Sequence, residues 1–500
     1  MTAPKHYRVA ILGSGFGGLG MAASLVRAGI DDFAVFEKAD KVGGVWRDNT
    51  YPGAACDTQA HVYCFTFFPH LRVSQMYAGG DEMLDYQVQL KDAFGIEKHM
   101  HYNAEIVEAR WVEDEAHWYI RTRNGEEYTA DFFIPAWGQL NEPKIPNWKG
   151  RENYQGIQFH TAEWNHDVDL TGKKVILIGT AASAVQAVPE VAKVAGHLEV
   201  FQRSANYILP REQITFTEEQ LDTFEQHPET FEESRRAIHE MREAGFERTR
   251  TNTTAAAEGR QESLDYLYSV VEDPELREKL TPDFDFGCKR ILRTSAFYPA
   301  LLRDNVSLVT EGVDHFTEKG IVTSDGVEHE ADVIIYGTGF YSQNFQGDLQ
   351  IIGRDGVTLA DRWGEEDAEA YIGLSVDGFP NMFLMYGPNT NLNHNSVVTM
   401  LEIQQHYVVD VLEKTESLAD VSVDVRRERL DSFNEILQKE MEGSSFSSDC
   451  SSWYKNSKGK VINNWSGTVE EYRDWAGEFK PEDYTVKSAG QVVELEAAQA

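Results

Sequence analysis

Five hundred residues with 41% hydrophobic content exceed what one core normally serves and predict two or three domains. The formal charge of −36, carried in clusters such as Glu113-Asp114-Glu115, argues against nucleic acid or anionic membrane surfaces as partners; any anionic ligand then needs a local basic pocket. No apolar run approaches the roughly 18 residues of a membrane span, and a short strand stands where a basic-then-apolar signal would be, so a cytoplasmic location is expected.

The first predicted element is an apolar strand, Tyr7 to Leu12, running into Gly13-Ser14-Gly15-Phe16-Gly17-Gly18 and then a helix. The next strand, Ala34-Val35-Phe36, is closed by Glu37, nineteen residues past Gly18. In a βαβ nucleotide fold the glycines let backbone approach a pyrophosphate at a helix N-terminus, and the residue ending the second strand meets the ribose. A carboxylate there accepts from bare ribose hydroxyls, so this copy predicts FAD through Gly13, Gly15, Gly18 and Glu37, with Lys38 beside it. A helix around Gly80–Phe94 and a hairpin around Ile106–Phe133 follow, then an extended Pro-rich crossing, Asn141-Glu142-Pro143-Lys144-Ile145-Pro146.

A second copy begins near Lys173: Val175-Ile176-Leu177-Ile178-Gly179-Thr180-Ala181-Ala182-Ser183-Ala184. Nineteen residues past Ala184 stands Arg203, at the end of Leu198-Glu199-Val200-Phe201. An arginine at that place suits a 2′-phosphate, so Gly179, Thr180, Ser183, Arg203 and Ser204 are assigned to NADPH. Residues from about Phe216 to Leu280 carry Glu, Arg and Gln at helical spacing and read as a helical insertion; the strand Ala331–Tyr336 precedes the return to the first domain.

The fold class is therefore α/β, with two Rossmann-like dinucleotide-binding domains and a helical insertion. The predicted segments are 1–140 for the first part of the FAD domain, 141–216 and 282–341 for the NADP domain, 217–281 for the insertion, and 342–500 for the second part of the FAD domain. Cys56, Cys64, Cys288 and Cys450 have neither metal-ligand nor C-x-x-C spacing. No metal site is predicted, a disulfide-reductase chemistry is disfavoured, and the cysteines are expected to be free, buried and small.

The segment between the two nucleotide motifs, Tyr154-Gln155-Gly156-Ile157-Gln158-Phe159-His160-Thr161-Ala162-Glu163-Trp164-Asn165, resembles the fingerprint of type I Baeyer–Villiger monooxygenases, within the class B flavin-dependent monooxygenases. Gly156, His160 and Trp164 match; Tyr154 and Asn165 replace a Phe and a Pro or Asp. Gly43-Gly44-Val45-Trp46-Arg47 through Ala55-Cys56-Asp57 resembles the family's loop over the flavin, and Phe286-Gly287-Cys288-Lys289-Arg290 its active-site arginine segment. Late segments, Phe379–Phe383, Tyr386–Thr390 and Asn463–Gly467, are similar to the 4-hydroxyacetophenone monooxygenase-like branch.

The resemblance implies an NADPH- and O₂-dependent conversion of ketones to esters or lactones through a C4a-peroxyflavin, with thioether oxidation as a side activity. It implies Arg290, Asp57 and His160 as catalytic residues, with His160 in a positional role and Asp57 paired with Arg290. It also places Gly44, Trp46 and Asp57 over the flavin and Lys289 on NADPH. Alternatives left open by the residues are a class B N- or S-hydroxylating enzyme and a non-productive NADPH oxidase or flavin-binding protein. The partners are then a small ketone and O₂, with the chain a monomer or homodimer. Loops at Tyr63–Phe68, Asn389–Asn395 and Cys450–Tyr454 are expected to line the substrate pocket, and their aromatic and small apolar residues suit aryl or medium-chain ketones. Three positions depart from the usual pattern: Ala181 for the middle glycine of the second turn, Trp137 for the Thr of an Ala-Thr-Gly, and Ile291 for a proline after Arg290.

Overall fold

The computed structural model describes residues 4–364 and 366–495; the outermost residues of the first and last predicted segments, 1–3 and 496–500, lie outside it. Its scaffold is two sheets, each carrying one of the Gly-rich turns. The first has seven strands in the order Gln350–Ile352, Ile106–Val112, His117–Thr122, Glu127–Pro135, Lys5–Leu12, Phe33–Phe36, Met100–His101. Its nucleotide-binding half is parallel, with Val9 opposite Phe33 and Phe132. The second sheet has five parallel strands, ordered Val306–Val309, His197–Phe201, Lys174–Ile178, Val333–Tyr336, Ile157–His160. Parallel strands covered by helices are buried on both faces, which is why Phe33–Phe36 and Val333–Tyr336 are apolar at every position.

The helix Phe16–Arg27 connects the first two strands and packs against Val397–Lys414, a helix from the far end of the chain. Small residues make this possible: a Cβ on Gly17 would sit 3.7 Å from Leu401, and one on Gly20 would lie 2.4 Å from Gln405. Gly18 is tighter still, since a Cβ there would fall 1.9 Å from the carbonyl of Gly13. The last part of the chain thus completes the first unit, adding Gln350–Ile352 to its sheet edge and Val397–Lys414 to its helical layer.

Two connections join the sheets, and they bond to each other. Lys144 N donates to Gly339 O at 2.8 Å on the outward crossing, and Tyr341 N on the return donates to Glu142 O at 2.9 Å. The insertion consists of helices Glu218–Gln226, Pro228–Ala244, Thr254–Val270 and Pro274–Leu280. Their starts carry the expected caps: Thr217 and Gln220 form a capping box, and Thr253 and Asp273 accept from the first turns.

Two sequence expectations change. The predicted hairpin at Ile106–Phe133 is a three-stranded meander, because the acidic turn Glu113–Glu115 is followed by a second tight turn at Gly125, φ 86°. Its third strand then runs parallel to Lys5–Leu12. The four cysteines are not all free: Cys288 and Cys450 form a disulfide across 162 residues, and only Cys56 and Cys64 are free and buried. No sequence spacing signals that pairing, because it depends on a late loop folding over the Lys289-Arg290 segment.

The Gly18 contact is backbone against backbone, so Gly18→Ala should cost about 1–3 kcal/mol through overpacking. Gly245, which has open space around it and a helical φ of −70°, should accept alanine within about 0.5 kcal/mol. Denaturant unfolding of the two variants checks the difference.

Candidate active site

Both Gly-rich turns open into one cavity of about 2190 Å³. That is larger than the roughly 300–1,000 Å³ a single drug-sized ligand fills, and has room for two dinucleotides with a substrate between them. At one end stands the N-terminus of Phe16–Arg27, capped by Gly15, and at the other the N-terminus of Ala182–Val194, capped by Ala181. Neither helix has a side-chain cap or an acidic residue in its first turn, so the free N–H groups and positive dipole end of each are available to an anion.

The turns are built alike. Gly13 has φ 95° and a Cβ there would lie 2.7 Å from Ala136 O; Gly179 has φ 121° and a Cβ there would lie 2.3 Å from Gly337 O. Only glycine meets both demands. Gly15 (φ −81°, ψ −166°) and Ala181 (φ −85°, ψ −169°) share one extended conformation open to any residue, so the alanine departure brings no backbone strain. Its cost is a methyl group at the cavity wall. At the third glycine position, Ala184 is accommodated by Gly337 on the facing strand, where a Cβ would be 3.1 Å from the alanine methyl.

Of the predicted cofactor residues, Gly13, Gly15, Glu37, Lys38, Gly44, Trp46 and Asp57 line the first end, and Gly179, Thr180, Ser183, Arg203, Ser204 and Lys289 the second. Gly18 does not; it serves helix-to-strand packing. Glu37 is 4% exposed, and its two oxygens accept from Ser14 N and Oγ, Ala39 N and Arg47 Nη1. Besides lining the cavity, it anchors the loop that carries Gly44 and Trp46 through Arg47, a task the spacing alone does not indicate.

At the second end Lys289 Nζ donates to Ser204 Oγ at 2.8 Å, and Arg203 is close enough that burial and the arginine charge together hold the lysine below its ordinary pKa. Asp283 pulls the lysine the other way but does not outweigh them, and the two cations held together make a site for a doubly charged anion. Thr180 Oγ1 donates to Ser204 O, and Asn206 Nδ2 to Thr180 O, so the turn and the strand end are tied together.

Between the two ends lie Asp57 and Arg290, both half-buried and lining the cavity. Burial raises the Asp57 carboxyl above its ordinary value, while the charges of Arg290 and Arg211 and the Gln186 amide pull it down. For Arg290, burial works against the charge, but Asp57 and the hydroxyls of Tyr454 and Tyr386 outweigh it and raise the pKa, so the guanidinium stays protonated. The expected direct pairing is not formed: among the described residues no ion pair within 4 Å joins the two, and Asp57 Oδ1 accepts instead from Gln186 Nε2 at 2.9 Å. Tyr386 is held at φ 60°, with its hydroxyl on Asn391 Oδ1 at 2.7 Å; a tyrosine in the left-handed region at a cavity wall is the kind of strain that functional sites retain.

His160 does not line the cavity. It ends the edge strand Ile157–His160 and is wholly buried; Nδ1 accepts from Ala162 N at 3.1 Å. Burial pulls its pKa down to about 4, so the ring is neutral near pH 7, and it packs edge-on against Phe340 on the return crossing. Of the predicted pocket loops, Tyr63, Asn391, Leu392, Asn395 and Cys450–Trp453 face the cavity, whereas Phe65 and Tyr454 are core. Trp137 also lines it, and Ile291 leads directly into the strand Leu292–Arg293, which pairs with Ile208–Leu209. Sequence reasoning did not single out Gln186, a polar residue interrupting the apolar run Ala184, Val185, Ala187, Val188, nor the disulfide that ties Cys288 to the cavity-lining loop at Cys450. Among the described residues no group of three or more His, Cys, Asp or Glu side chains could hold a metal ion, and no helix is long and apolar enough to cross a membrane.

Residues 10–255 match the family model described as pyridine nucleotide-disulphide oxidoreductase. The chain is 37% identical over 485 residues to a protein of Pseudomonas aeruginosa named Baeyer-Villiger monooxygenase, covering 97% of this chain and 92% of that one. It is 36% identical over 471 residues to a Streptomyces coelicolor protein of the same name, covering 94% and 90%. Among solved structures, an oxidized steroid monooxygenase bound to NADP superposes with a TM-score of 0.84 at 31% identity, over 94% of this chain and 97% of that one. A closed crystal structure of cyclohexanone monooxygenase gives 0.86 at 26%, over 97% and 100%. Similarity of this degree over nearly the whole length of both chains shows that the chain belongs to the Baeyer–Villiger monooxygenase family.

Proposed function

We propose that the chain converts ketones to esters or lactones, with FAD at the Gly13–Gly18 end of the cavity and NADPH at the Gly179–Ala184 end. The observation that carries this reading is that two helix N-termini without side-chain caps face one cavity, with a half-buried, protonated Arg290 between them. When bound and reduced, FAD supplies the oxygen-activating chemistry, and NADPH supplies the hydride that reduces it.

This chain's residues do the rest. Gly13 and Gly15 would let backbone reach the FAD pyrophosphate, Glu37 and Lys38 would hold its ribose end, and Gly44 and Trp46 line the site from the neighbouring loop. Arg203, Ser204 and Lys289 would hold the 2′-phosphate of NADPH, and Gly179, Thr180 and Ser183 would offer backbone to its pyrophosphate. Arg290 is placed to stabilise negative charge that develops on a ketone oxygen as its carbonyl is attacked, and burial makes that charge more effective than it would be in water. Asp57 sustains the guanidinium charge and limits where it can move. His160, neutral and lodged against Phe340, sets the position of the return crossing and moves no proton.

The pocket wall near Arg290 is made by Phe16, Trp46, Tyr63 and Tyr386, with the Phe16 and Tyr63 rings 5.2 Å apart in an edge-to-face arrangement. We assign the substrate to aryl or medium-chain ketones on that basis, and the chain to the 4-hydroxyacetophenone monooxygenase-like branch, supported by the segments Tyr386–Thr390 and Asn463–Gly467, which are joined by the bond that Asn389 Nδ2 donates to Asn464 O at 2.9 Å.

Aerobic incubation with FAD, NADPH and a mixed panel of aryl, cyclic and linear ketones should yield esters or lactones by mass spectrometry, with aryl ketones ahead; N-oxides and sulfoxides alone from a parallel amine and thioether panel would reject the reading. Arg290→Ala should reduce ester formation by about 100-fold or more. Arg203→Glu should raise KM for NADPH by about tenfold or more and leave NADH kinetics nearly unchanged. Wild-type kinetics that are equal for the two nucleotides would remove the phosphate assignment.

A further inference from the structure

We infer that Gln186 is the positioning residue for Asp57, and that it holds the carboxylate from across the boundary between the two nucleotide units. The inference rests on the proposed partnership of Asp57 with Arg290. Gln186 lies on the helix Ala182–Val194 of the second unit, whereas Asp57 ends a loop, Tyr51–Asp57, that belongs to the first. A primary amide has two acceptor positions and two N–H donors, and all four are used here on that one loop. Oε1 accepts from Tyr51 OH at 2.8 Å and from Ala55 N at 3.3 Å. Nε2 donates to Ala55 O at 3.0 Å and to Asp57 Oδ1 at 2.9 Å.

The orientation of the amide follows from its partners. Turning it over would set N–H against the Ala55 N–H, and would set oxygen against both the Ala55 carbonyl and the carboxylate. The fit continues in the backbone, since a Cβ on Gly53 would lie 2.6 Å from the carbonyl oxygen of Gln186, so the loop rides directly on the helix. Packing alone does not call for an amide here. Ala184, Val185, Ala187 and Val188 surround it in sequence and are buried, and Gln186 is itself only 8% exposed.

Among the described residues, Gln186 is the one side chain that hydrogen-bonds Asp57 directly. The other groups that face the carboxyl are the guanidinium charges of Arg290, Arg211 and Arg242, together with the Cys56 thiol and the Tyr51 hydroxyl, whose own ionisation burial holds high, to about 12 for Cys56. The arginines act at a distance and give the charge no direction. Gln186 does give direction, because one N–H bond fixes which oxygen is turned toward the second unit and leaves the other for Arg290. Asp57 therefore follows the position of the second unit's helix.

The sign of the pH effect is determined by burial. The folded-state pKa of Asp57 is raised, so stability associated with its protonated form is present below the unfolded value and is lost as pH rises through the folded value. Removing the Nε2–H donor raises the folded value further and enlarges that loss. The bonds to Tyr51 and Ala55 are between neutral groups, and losing them costs the same at every pH.

The test measures the thermal midpoint of the flavin-loaded protein, followed by flavin fluorescence between about pH 5 and pH 9, for wild type and Gln186→Met in Asp57 and Asp57→Asn backgrounds. The expected result is a midpoint deficit for Gln186→Met that widens with pH in the Asp57 background and is flat in the Asn background. Turnover should show the same coupling, with the acid limb of kcat moved up by about one pH unit in Gln186→Met. A deficit that is equally flat in both backgrounds makes Gln186 a brace alone and overturns the inference. If Gln186→Met does not fold, Gln186→Glu, which retains an acceptor and loses the donor when ionised, should show the same widening. Wild-type turnover in Asp57→Asn would end the proposed role of Asp57, while the thermal comparison still decides the contact.

Discussion

The structure depends on one geometric constraint: two helices from different sheets must bring their uncapped N-termini to the same cavity. Each meets it by a contact that leaves no room for a side chain, Gly13 against Ala136 and Gly179 against Gly337. In both, the glycine that opens the turn abuts the last residues of a neighbouring strand, so the sheet itself fixes where the helix begins. Positive potential at a helix start needs no charged residue. A chain with a net charge of −36 can therefore bind two anionic dinucleotides with help from local cations along the cavity, Arg203, Lys289 and Arg290 among them.

Several contacts cross between the units around the cavity. Outward and return crossings bond to each other near Lys144 and Gly339, the loop Tyr51–Asp57 rests on the helix Ala182–Val194, and the disulfide ties the Lys289-Arg290 segment to the late loop at Cys450. These contacts surround the place where the two cofactor ends converge. Burial keeps His160 neutral, while the Asp57 charge keeps Arg290 protonated against its own partial burial.

Legibility in the sequence followed the range of the interaction. The turns, the first-strand pattern, Glu37 and Arg203 were readable because their geometry is set within about forty residues by one βαβ unit. Asp57 and Arg290 lie far apart in sequence, and only the family resemblance brought them together. Their contact was misjudged, since the expected direct pair is replaced by Gln186, and an amide on an apolar helix face has no local signature. Glu37 had a second task, holding Arg47, that no spacing rule contains. The disulfide was missed because 162 residues separate its halves, and the third strand of the meander because two tight turns were read as one. His160 was found by its motif, but its distance from the cavity wall became visible only with the fold.

The central claim is that this cavity passes an oxygen atom from O₂ to a ketone carbon under the control of Arg290. Turnover of an aryl ketone under ¹⁸O₂, with the product analysed by mass spectrometry, tests it most directly. Each ester should carry one labelled atom, and the amount of labelled ester should fall in step with turnover when Arg290 is replaced. Unlabelled ester, or NADPH consumption that ends only in labelled hydrogen peroxide for every ketone offered, would contradict it.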